Sequence, residues 1–474
     1  MDILDFFPFE KPHPSQIQVL HWVQENWAKY DIFVLQCPVA AGKSPIAVTI
    51  ARWSEAKFGW ATRITTPDNV LVKQYQDDFD LPGMPYVSQY AMGDSFKAAQ
   101  TKAKNEPLVV MNNWSLLANR AYAPLQIMDE AHQLIPMLQD FEGIKWWLHL
   151  DDLSDTGDFR QLRTVGDIVI HFQRIKTALT GIKNITPTQR QHRKMAGKIL
   201  KSLSKNPKDF VVAHEQAEYR GKLRDCLRIY PLTPRGNAPI LWPPSRVRKL
   251  ILMSATIERP DIYDLGLESR RVGYISVPSD IPPENRPVYL WGVGSMGQGK
   301  TDTAVDALVE RLQTLRATQA GRGFIHSTYA LARQLRDKLD PDQFIVHDQL
   351  DKSAKWEKWR NNLADTRSFV GCGMTTGINM KGDIARWQAI LKCPFPDLGD
   401  VAVRGKYLVN EEWYAWATIK QLLQAYGRVC RGPEDFGATF ILDSDFIKLY
   451  NKHVELFPQW FREAHSPISQ AGVK

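Results

Sequence analysis

The chain has 474 residues, a formal net charge of +8, 44% apolar residues and 24% charged residues. This length is beyond the size at which one hydrophobic core stops growing, so two or more domains are expected, and the composition excludes disordered and fibrous proteins. The acidic start and the lack of an apolar stretch of bilayer length predict a cytoplasmic protein without membrane contact. The five cysteines are scattered without a Cys-x-x-Cys pair, so no zinc or redox site is expected.

The first chemical signal is segment 34–44, an apolar run that ends in small residues and Gly-Lys-Ser. A strand, loop and helix of this kind bring backbone N–H groups around phosphate oxygens. Lys43 would bring positive charge to the terminal phosphates, and the Ser44 hydroxyl would ligate Mg²⁺. The residues predicted to bind the nucleotide here are Pro38, Val39, Ala40, Ala41, Gly42, Lys43 and Ser44. Cys37 replaces the usual first glycine, and a surface turn is the alternative reading of this motif alone.

Helices are predicted on both sides of this phosphate cradle, over 17–27 and 46–58, from their apolar spacing. Gln16 precedes the first of them. Its amide would read an adenine edge if that helix packs beside the cradle, and the alternative is an ordinary surface glutamine.

An acidic strand end is the second signal. Strands are predicted over 61–66, 108–111 and 125–128, with a helix over 70–79, and this alternation favours a parallel sheet whose ligand lies at the carboxyl ends of the strands. The last strand runs into Asp129, Glu130, Ala131 and His132. Two carboxylates that emerge from a buried strand need a cation, so we predict that Asp129 holds Mg²⁺ through water and that Glu130 activates the attacking water.

The alternation stops over residues 141–245, which we interpret as an inserted, mainly helical domain. The segment 160–250 contains 20 Lys and Arg against 5 Asp and Glu, a charge of +15, so the rest of a +8 chain sums to −7. Such a block indicates a polyphosphate partner, and a solvated charged face is the alternative. The strand pattern resumes at 249–253 and ends in Ser254, Ala255 and Thr256, which could couple the acidic strand end to a neighbouring domain.

A second alternation of strands and helices begins near Ser276. Strands are predicted near 288–292, 323–326, 344–346, 369–372 and 387–391. A helix predicted from Glu412 to Arg431 places Arg428 and Arg431 three positions apart on one face. Two arginines without nearby acids suit contact with a γ-phosphate across a cleft, and surface arginines are the alternative.

Together these motifs resemble, in their order, those of superfamily-two helicases. Further segments narrow the resemblance to the XPD/DinG family of DNA helicases: 7–10, 279–286, 377–379, 382–383, 394–396, 434–437 and 442–443. The resemblance covers nearly the whole chain except the insertion.

The resemblance implies an α/β fold with two RecA-like parallel-sheet motor domains, ATP and Mg²⁺ between them, and an arch-like domain at the insertion. The expected domains are 1–140 with 246–275, 141–245, and 276–474. It also implies ATP-driven movement along single-stranded DNA, usually 5′ to 3′, by a monomer that unwinds forked DNA. The family roles carried over are nucleotide contact by Gly377 and Asn379, action from the second domain by Gln424, Arg428 and Arg431, and DNA-backbone contact by Thr66, Asn112 and Thr375.

Departures from the family pattern leave alternatives open. No cysteine occurs from Pro38 to Asp225, so the iron–sulfur cluster of most cellular members is not expected, and this compact form would suit a phage member. Thr376 and Asn379 replace acidic residues usual in the family. A single-strand translocase without strong unwinding, a nucleotide-gated clamp and an RNA substrate remain alternatives to a DNA helicase.

Overall fold

The structure is a computed structural model that describes residues 1–39, 41–84, 101, 105–147, 162–182, 186–203, 209–219, 222–236, 238–297, 301–374 and 380–472. The described strands, in chain order, are β1 (Ile32–Gln36), β2 (Thr62–Thr66), β3 (Gly83–Met84), β4 (Leu108–Asn112), β5 (Leu125–Met128), β6 (Ile144–Trp147), β7 (Phe210–Tyr219), β8 (Lys222–Pro231), β9 (Lys249–Ser254), β10 (Val272–Ser276), β11 (Val288–Gly294), β12 (Gly323–Ser327), β13 (Phe344–Val346), β14 (Ser368–Cys372), β15 (Trp387–Ile390) and β16 (Ala438–Asp443).

The described α-helices, in chain order, are α1 (Pro14–Asn26), α2 (Lys43–Phe58), α3 (Asn69–Phe79), α4 (Asn113–Asn119), α5 (Leu134–Glu142), α6 (Val165–Thr180), α7 (Pro187–Leu203), α8 (Arg259–Asp264), α9 (Thr301–Thr318), α10 (Tyr329–Arg336), α11 (Lys352–Asn361), α12 (Val401–Val409), α13 (Glu411–Tyr426), α14 (Ser444–Lys452) and α15 (Gln459–Ala464). No helix in the described ranges is long and apolar enough to cross a membrane.

The first lobe is built on a seven-stranded sheet in the order β10-β1-β9-β5-β2-β4-β3, in which every pair is parallel. Its central strands are buried along their whole length, because helices or loops cover both faces. One face packs Trp53 and Phe33 into a core, and the other packs Met111 and Trp242. The carboxyl ends of β1, β5 and β9 meet at one edge, where the cradle, the acidic strand end and Ser254 all lie.

The second lobe has a six-stranded parallel sheet in the order β11-β16-β15-β12-β14-β13. The five strands predicted from sequence are present, and β16 joins them between β11 and β15. β16 was not predicted from the sequence. Two parallel sheets with helical connections are the architecture that the alternating pattern indicated.

The insertion contains α6 and α7 together with a three-stranded antiparallel sheet in the order β6-β8-β7. The prediction of a mainly helical insertion therefore missed a sheet. The insertion has its own core, in which Trp146 from β6 lies against Phe172 of α6 with ring centroids 4.9 Å apart. Ile175, Ile199 and Leu227 join them, so both helices are held against the sheet.

Candidate functional site

The phosphate cradle follows β1 and leads directly into α2. Gly42 has a φ of +67°, in the left-handed region where a side chain is strained. A Cβ at that position would also lie 2.4 Å from Nε2 of Gln16. Cys37 is buried and burial raises its pKa to about 12, so its thiol stays protonated. Ala40, one of the predicted nucleotide contacts, lies outside the described residues.

Gln16 is hydrogen-bonded to the backbone of the cradle. Its side-chain Nε2 donates to the carbonyl oxygens of Ala41 and Gly42 at 3.0 and 3.2 Å, and its Oε1 accepts from the backbone N–H of His13 at 2.8 Å. The residue is only 2% exposed. In this structure the Nε2 end of the amide holds the loop and the Oε1 end caps the start of α1, and the adenine contact stays a prediction.

The acidic strand end meets the cradle at Glu130. Lys43 Nζ lies 3.1 Å from Glu130 Oε1, and His132 Nδ1 lies 3.3 Å from Glu130 Oε2. Burial opposes ionisation, but Lys43 and His132 outweigh it and hold the pKa of Glu130 well below its usual range. Glu130 has a φ of +50°, in the left-handed region that non-glycine residues rarely adopt, and it shares this conformation with Asp80 and Arg120, which follow α3 and α4.

Asp129 lies behind Glu130, next to Ser44. Its Oδ1 accepts from the backbone N–H of Glu130 at 2.9 Å, and its Oδ2 accepts from the hydroxyl of Tyr75 at 2.9 Å. The Ser44 side chain also acts on the pKa of the Tyr75 hydroxyl, lowering it against the stronger effect of burial, so one buried phenol lies close to both predicted Mg²⁺ ligands. Burial and the neighbouring Glu130 raise the pKa of Asp129 to about 6.

These residues fit a Mg²⁺ ion that is completed by phosphate and water. Within the described ranges no three His, Cys, Asp or Glu side chains form a metal-binding group. Mg²⁺ in nucleotide sites is commonly held by one or two protein ligands plus substrate phosphates, and it prefers oxygen. The carboxylate of Asp129 and the hydroxyl of Ser44 supply that donor chemistry.

A chain of hydrogen bonds runs from Glu130 to the second lobe. His132 Nδ1 lies 2.8 Å from Ser254 Oγ, and Ser254 Oγ accepts from the backbone N–H of Thr256 at 3.0 Å. Gln424 Nε2 then donates to Thr256 Oγ1 at 3.1 Å. The side chains at the carboxyl ends of β5 and β9 are therefore connected to α13, as the small hydroxyl residues at 254–256 suggested.

The two arginines lie beyond the end of α13, which corrects the predicted helix. α13 ends at Tyr426, so Arg428 and Arg431 do not share a helix face. Arg428 Nε donates to the carbonyl of Gln424 at 3.0 Å, and Arg431 donates to the carbonyl of Gly427 at 3.0 Å. Burial lowers the pKa of both guanidinium groups, and the charge of Glu130 opposes that effect in both. Both arginines therefore lie close enough to the acidic strand end to feel its charge.

The lobes also touch at the cradle itself. Val39 packs so closely on Gly427 that a Cβ there would lie 2.7 Å from the valine methyl groups. Pro38 and Val39 line a narrow cavity of about 20 Å³ with residues of the second lobe, among them Arg286 and Tyr426.

Two of the predicted DNA contacts are buried at the last positions of β2 and β4. Thr66 and Asn112 are register partners in the sheet. Thr66 Oγ1 donates to the carbonyl of Asp68 at 2.9 Å, and Asn112 Nδ2 donates to the carbonyl of Pro67 at 3.1 Å. Their side chains shape the loop after β2 in this structure, and a contact with DNA stays a prediction. Thr375, Gly377 and Asn379 lie outside the described residues.

Buried ion pairs that the sequence did not predict join the two lobes. Asp264 of α8 pairs with Lys406 of α12, and Asp261 pairs with Lys420 of α13. Asp261 also accepts from the indole N–H of Trp416 at 2.8 Å. These partners are more than 140 residues apart in the chain, so local sequence carries no signal for them.

Comparison with known proteins identifies the second lobe and the fold. Residues 316–464 match the family described as the helicase C-terminal domain. An apo XPD structure is 12% identical, with a TM-score of 0.59 over 95% of this chain and 100% of that chain. An XPD helicase gives 12% identity, a TM-score of 0.60, and coverage of 97% and 100%. S. tokodaii Xpd4 gives 11% identity, a TM-score of 0.59, and coverage of 96% and 100%. The predicted fold class and the predicted resemblance are confirmed.

Proposed function

Because the second lobe matches a helicase C-terminal domain on a chain with the XPD fold, we propose that the protein is an ATP-dependent DNA helicase. It would move along single-stranded DNA, 5′ to 3′, and unwind forked duplexes. The proposal is supported by the 3.1 Å contact of Lys43 with Glu130 and by Arg428 and Arg431, which lie close enough to Glu130 for its charge to act on the pKa of both guanidinium groups. A pure binder of nucleotide has no need of a carboxylate placed to activate water.

In the proposed reaction, Lys43 binds the terminal phosphates and Glu130 accepts a proton from the attacking water. Because Lys43 and Glu130 form an ion pair, phosphate binding by Lys43 would come before proton transfer to Glu130. While Lys43 holds Glu130, the low pKa of the carboxylate makes it a weak base. A bound triphosphate would draw the ammonium group away, and the basicity of Glu130 would then rise toward the ordinary range of a general base.

The second lobe completes the charge balance. Arg428 and Arg431 would stabilise the charge that develops on the transferred phosphoryl group, as arginine fingers do. Asp129 and Ser44 would hold Mg²⁺, which when bound neutralises the phosphate oxygens. Gln424, which lies on α13 of the second lobe, would couple changes at the nucleotide site to that lobe through its hydrogen bond to Thr256.

The sheets support the proposed division of the chain. The seven-stranded sheet takes its strands from residues 32–128 and 249–276, the insertion sheet from 144–231, and the six-stranded sheet from 288–443. We therefore keep motor domain 1 at 1–140 and 246–275, the insertion at 141–245 and motor domain 2 at 276–474.

The test is ATP hydrolysis measured with and without single-stranded DNA, for the wild type, Lys43→Ala and Glu130→Gln. We expect stimulation by DNA in the wild type and a loss of about 10²- to 10⁴-fold in Glu130→Gln, since a positioned general base contributes that much. Lys73→Ala is the matched control, because Lys73 is an exposed lysine of the same lobe with no ion pair among the described residues. Unaltered hydrolysis in Lys43→Ala would show that the site is wrongly assigned.

Unwinding requires a separate measurement on 5′-tailed DNA, 3′-tailed DNA and the matching RNA duplexes. We expect strand separation of the 5′-tailed DNA only. DNA-stimulated hydrolysis without separation of any duplex would identify a translocase, and tight DNA binding with background hydrolysis would identify a clamp.

A further inference from the structure

We propose that the insertion carries a second nucleic-acid site, a groove between α6 and α7 that binds the phosphodiester backbone. This inference rests on the proposed function only in taking nucleic acid as the substrate. The groove has a volume of about 640 Å³. Its polar lining residues are Gln173, Lys176, Thr177, Thr180 and Lys201, with Gly197 at its wall.

A stripe of positive charge runs along α7, and one of its members, Lys201, lines the groove. Arg190, Lys194, Lys198 and Lys201 occupy positions i, i+4, i+8 and i+11 of α7 and are all exposed. Residues at this spacing share one helix face, and eleven residues rise about 16 Å. The sequence of α7 has no acidic residue, and among the described residues no acid forms an ion pair with the first three members of the stripe.

This arrangement is unfavourable for the helix alone. Like charges four residues apart destabilise a helix by roughly 0.2–0.5 kcal/mol per pair. An ordinary solvated helix face mixes both signs, so a stripe of one sign indicates a partner that brings the opposite charge. The phosphates of a nucleic acid are a regular array of such charges.

Gly197 is the second feature that indicates a ligand. A glycine inside a helix costs about 1 kcal/mol relative to alanine. A Cβ at Gly197 would meet no atom within 4 Å, so packing does not require glycine there. The position lies in the wall of the groove between Lys194 and Lys201, where the missing side chain leaves the helix backbone open to a closely bound group.

The groove chemistry favours the phosphate backbone over the bases. None of its lining residues is aromatic, so bases have no ring to stack on. Lysines, hydroxyls and an amide are the groups that contact phosphate oxygens. The core beneath the groove, with Phe172, Ile175 and Ile199, holds both helices in place and therefore fixes the spacing of the charges before binding.

The first experiment compares the wild type with the triple variant Arg190→Ser, Lys194→Ser, Lys198→Ser. Binding of a labelled single strand of about 30 nucleotides is measured without ATP from about 50 to 300 mM salt. Each cation lost should reduce the slope of log K against log salt by about 0.7, so we expect a reduction of about 2. The control triple Arg333→Ser, Lys358→Ser, Arg360→Ser removes the same charge from exposed positions of the second lobe and should leave the slope unchanged.

The second experiment fills the groove without changing its charge. Gly197→Gln should raise the thermal midpoint of the insertion, because glutamine is a better helix former, while it weakens DNA binding about tenfold. Weaker binding in a more stable protein cannot come from misfolding. An unchanged salt slope in the triple variant, or unchanged binding in Gly197→Gln, would overturn the proposal.

The failure of this site is distinguishable from the failure of the motor. If the site exists, the triple variant should need more DNA for half-maximal ATP hydrolysis but reach the wild-type rate at saturation. If the triple variant showed the reduced salt slope but the wild type did not hydrolyse ATP, the motor function would be refuted and the groove would still be supported as a nucleic-acid site. Duplex DNA and single-stranded RNA, tested in parallel, show which nucleic acid the groove prefers.

Discussion

Lys406→Met should destabilise the protein strongly, because it breaks a buried ion pair between the lobes. The side chains of Lys406 and Asp264 are only 7% and 4% exposed. Burial lowers the pKa of Lys406 and raises that of Asp264 although they are partners, so each pays for desolvation that the other only partly offsets. Methionine at 406 would leave the Asp264 carboxylate buried without a partner, at a cost of about 3–5 kcal/mol.

The double variant Asp264→Leu, Lys406→Met should recover most of that loss. Replacement of a complete buried pair by apolar residues of similar volume is often neutral or stabilising, so we expect a stability within about 1 kcal/mol of the wild type. Lys406 also lies 4.6 Å from the ring centroid of Trp413. That contact is absent from both variants that carry methionine, so the double-mutant cycle separates it from the ion pair.

The assay is thermal and guanidinium unfolding, followed by the fluorescence of the tryptophans and by calorimetry. A loss of 3–5 kcal/mol corresponds to a fall in the midpoint of roughly 10 °C for a unit of about 200 residues. Lys452→Met is the matched control, because its pair with Glu411 is exposed and should contribute little. If Lys406→Met and the double variant unfolded at the same midpoint, the charge of Asp264 would not be desolvated and the reasoning would be refuted.

Three further outcomes are expected. Gly42→Ala should lower the thermal midpoint and the nucleotide affinity more than Gly59→Ala. Both glycines have φ above +60°, but only a Cβ at position 42 would meet Gln16, at 2.4 Å. Equal effects of the two substitutions would mean that backbone strain alone matters. Burial lowers the pKa of His326 from 6.5 to about 4, so the folded protein keeps this ring neutral where the unfolded chain binds a proton. The free energy of unfolding should therefore be highest above pH 6.5 and fall by roughly 3 kcal/mol as the pH falls from 6.5 toward 4. Unfolding midpoints across that range should fall less steeply in His326→Gln, and parallel curves would contradict this. Tyr75→Phe should weaken Mg²⁺-dependent nucleotide binding about tenfold and leave binding without Mg²⁺ unchanged, because the phenol donates to Asp129, the proposed Mg²⁺ ligand. An unaltered Mg²⁺ titration would count against this prediction.

The pairing of the cradle with the acidic strand end could be predicted because it depends on local patterns and one topological rule. Apolar runs followed by Gly-Lys-Ser and by Asp-Glu mark the ends of two strands. Parallel strands in an alternating chain bring their carboxyl ends to one edge, and this rule places Lys43 3.1 Å from Glu130 across 87 positions of sequence. No side-chain detail was required for that step.

Backbone conformation and the points where helices and strands end were harder to predict. α13 ends at Tyr426 and Gly427 follows it. Glycine after an apolar helical run is a recognised stop signal, which the prediction of a helix to 431 overlooked. The two strands of the insertion hairpin are separated in sequence by Arg220 and Gly221, which is a hairpin signal that the basic composition obscured. The left-handed conformation of Glu130 has no sequence signal at all, because non-glycine residues rarely adopt it.

Contacts between residues far apart in the chain cannot be predicted from a single sequence. In this protein several of them involve one short segment. The polar contacts of Thr256, Asp261 and Asp264 with the second lobe all come from the eleven residues 254–264 that follow β9. The same segment shares a hydrogen bond with His132, since Ser254 Oγ lies 2.8 Å from His132 Nδ1, and His132 contacts Glu130. A nucleotide that drew Lys43 from Glu130 would change the charge at the start of this chain of contacts. Since Ser254 and Thr256 are fully buried, water does not replace their hydrogen bonds, so we expect the change to be passed through this segment to α12 and α13.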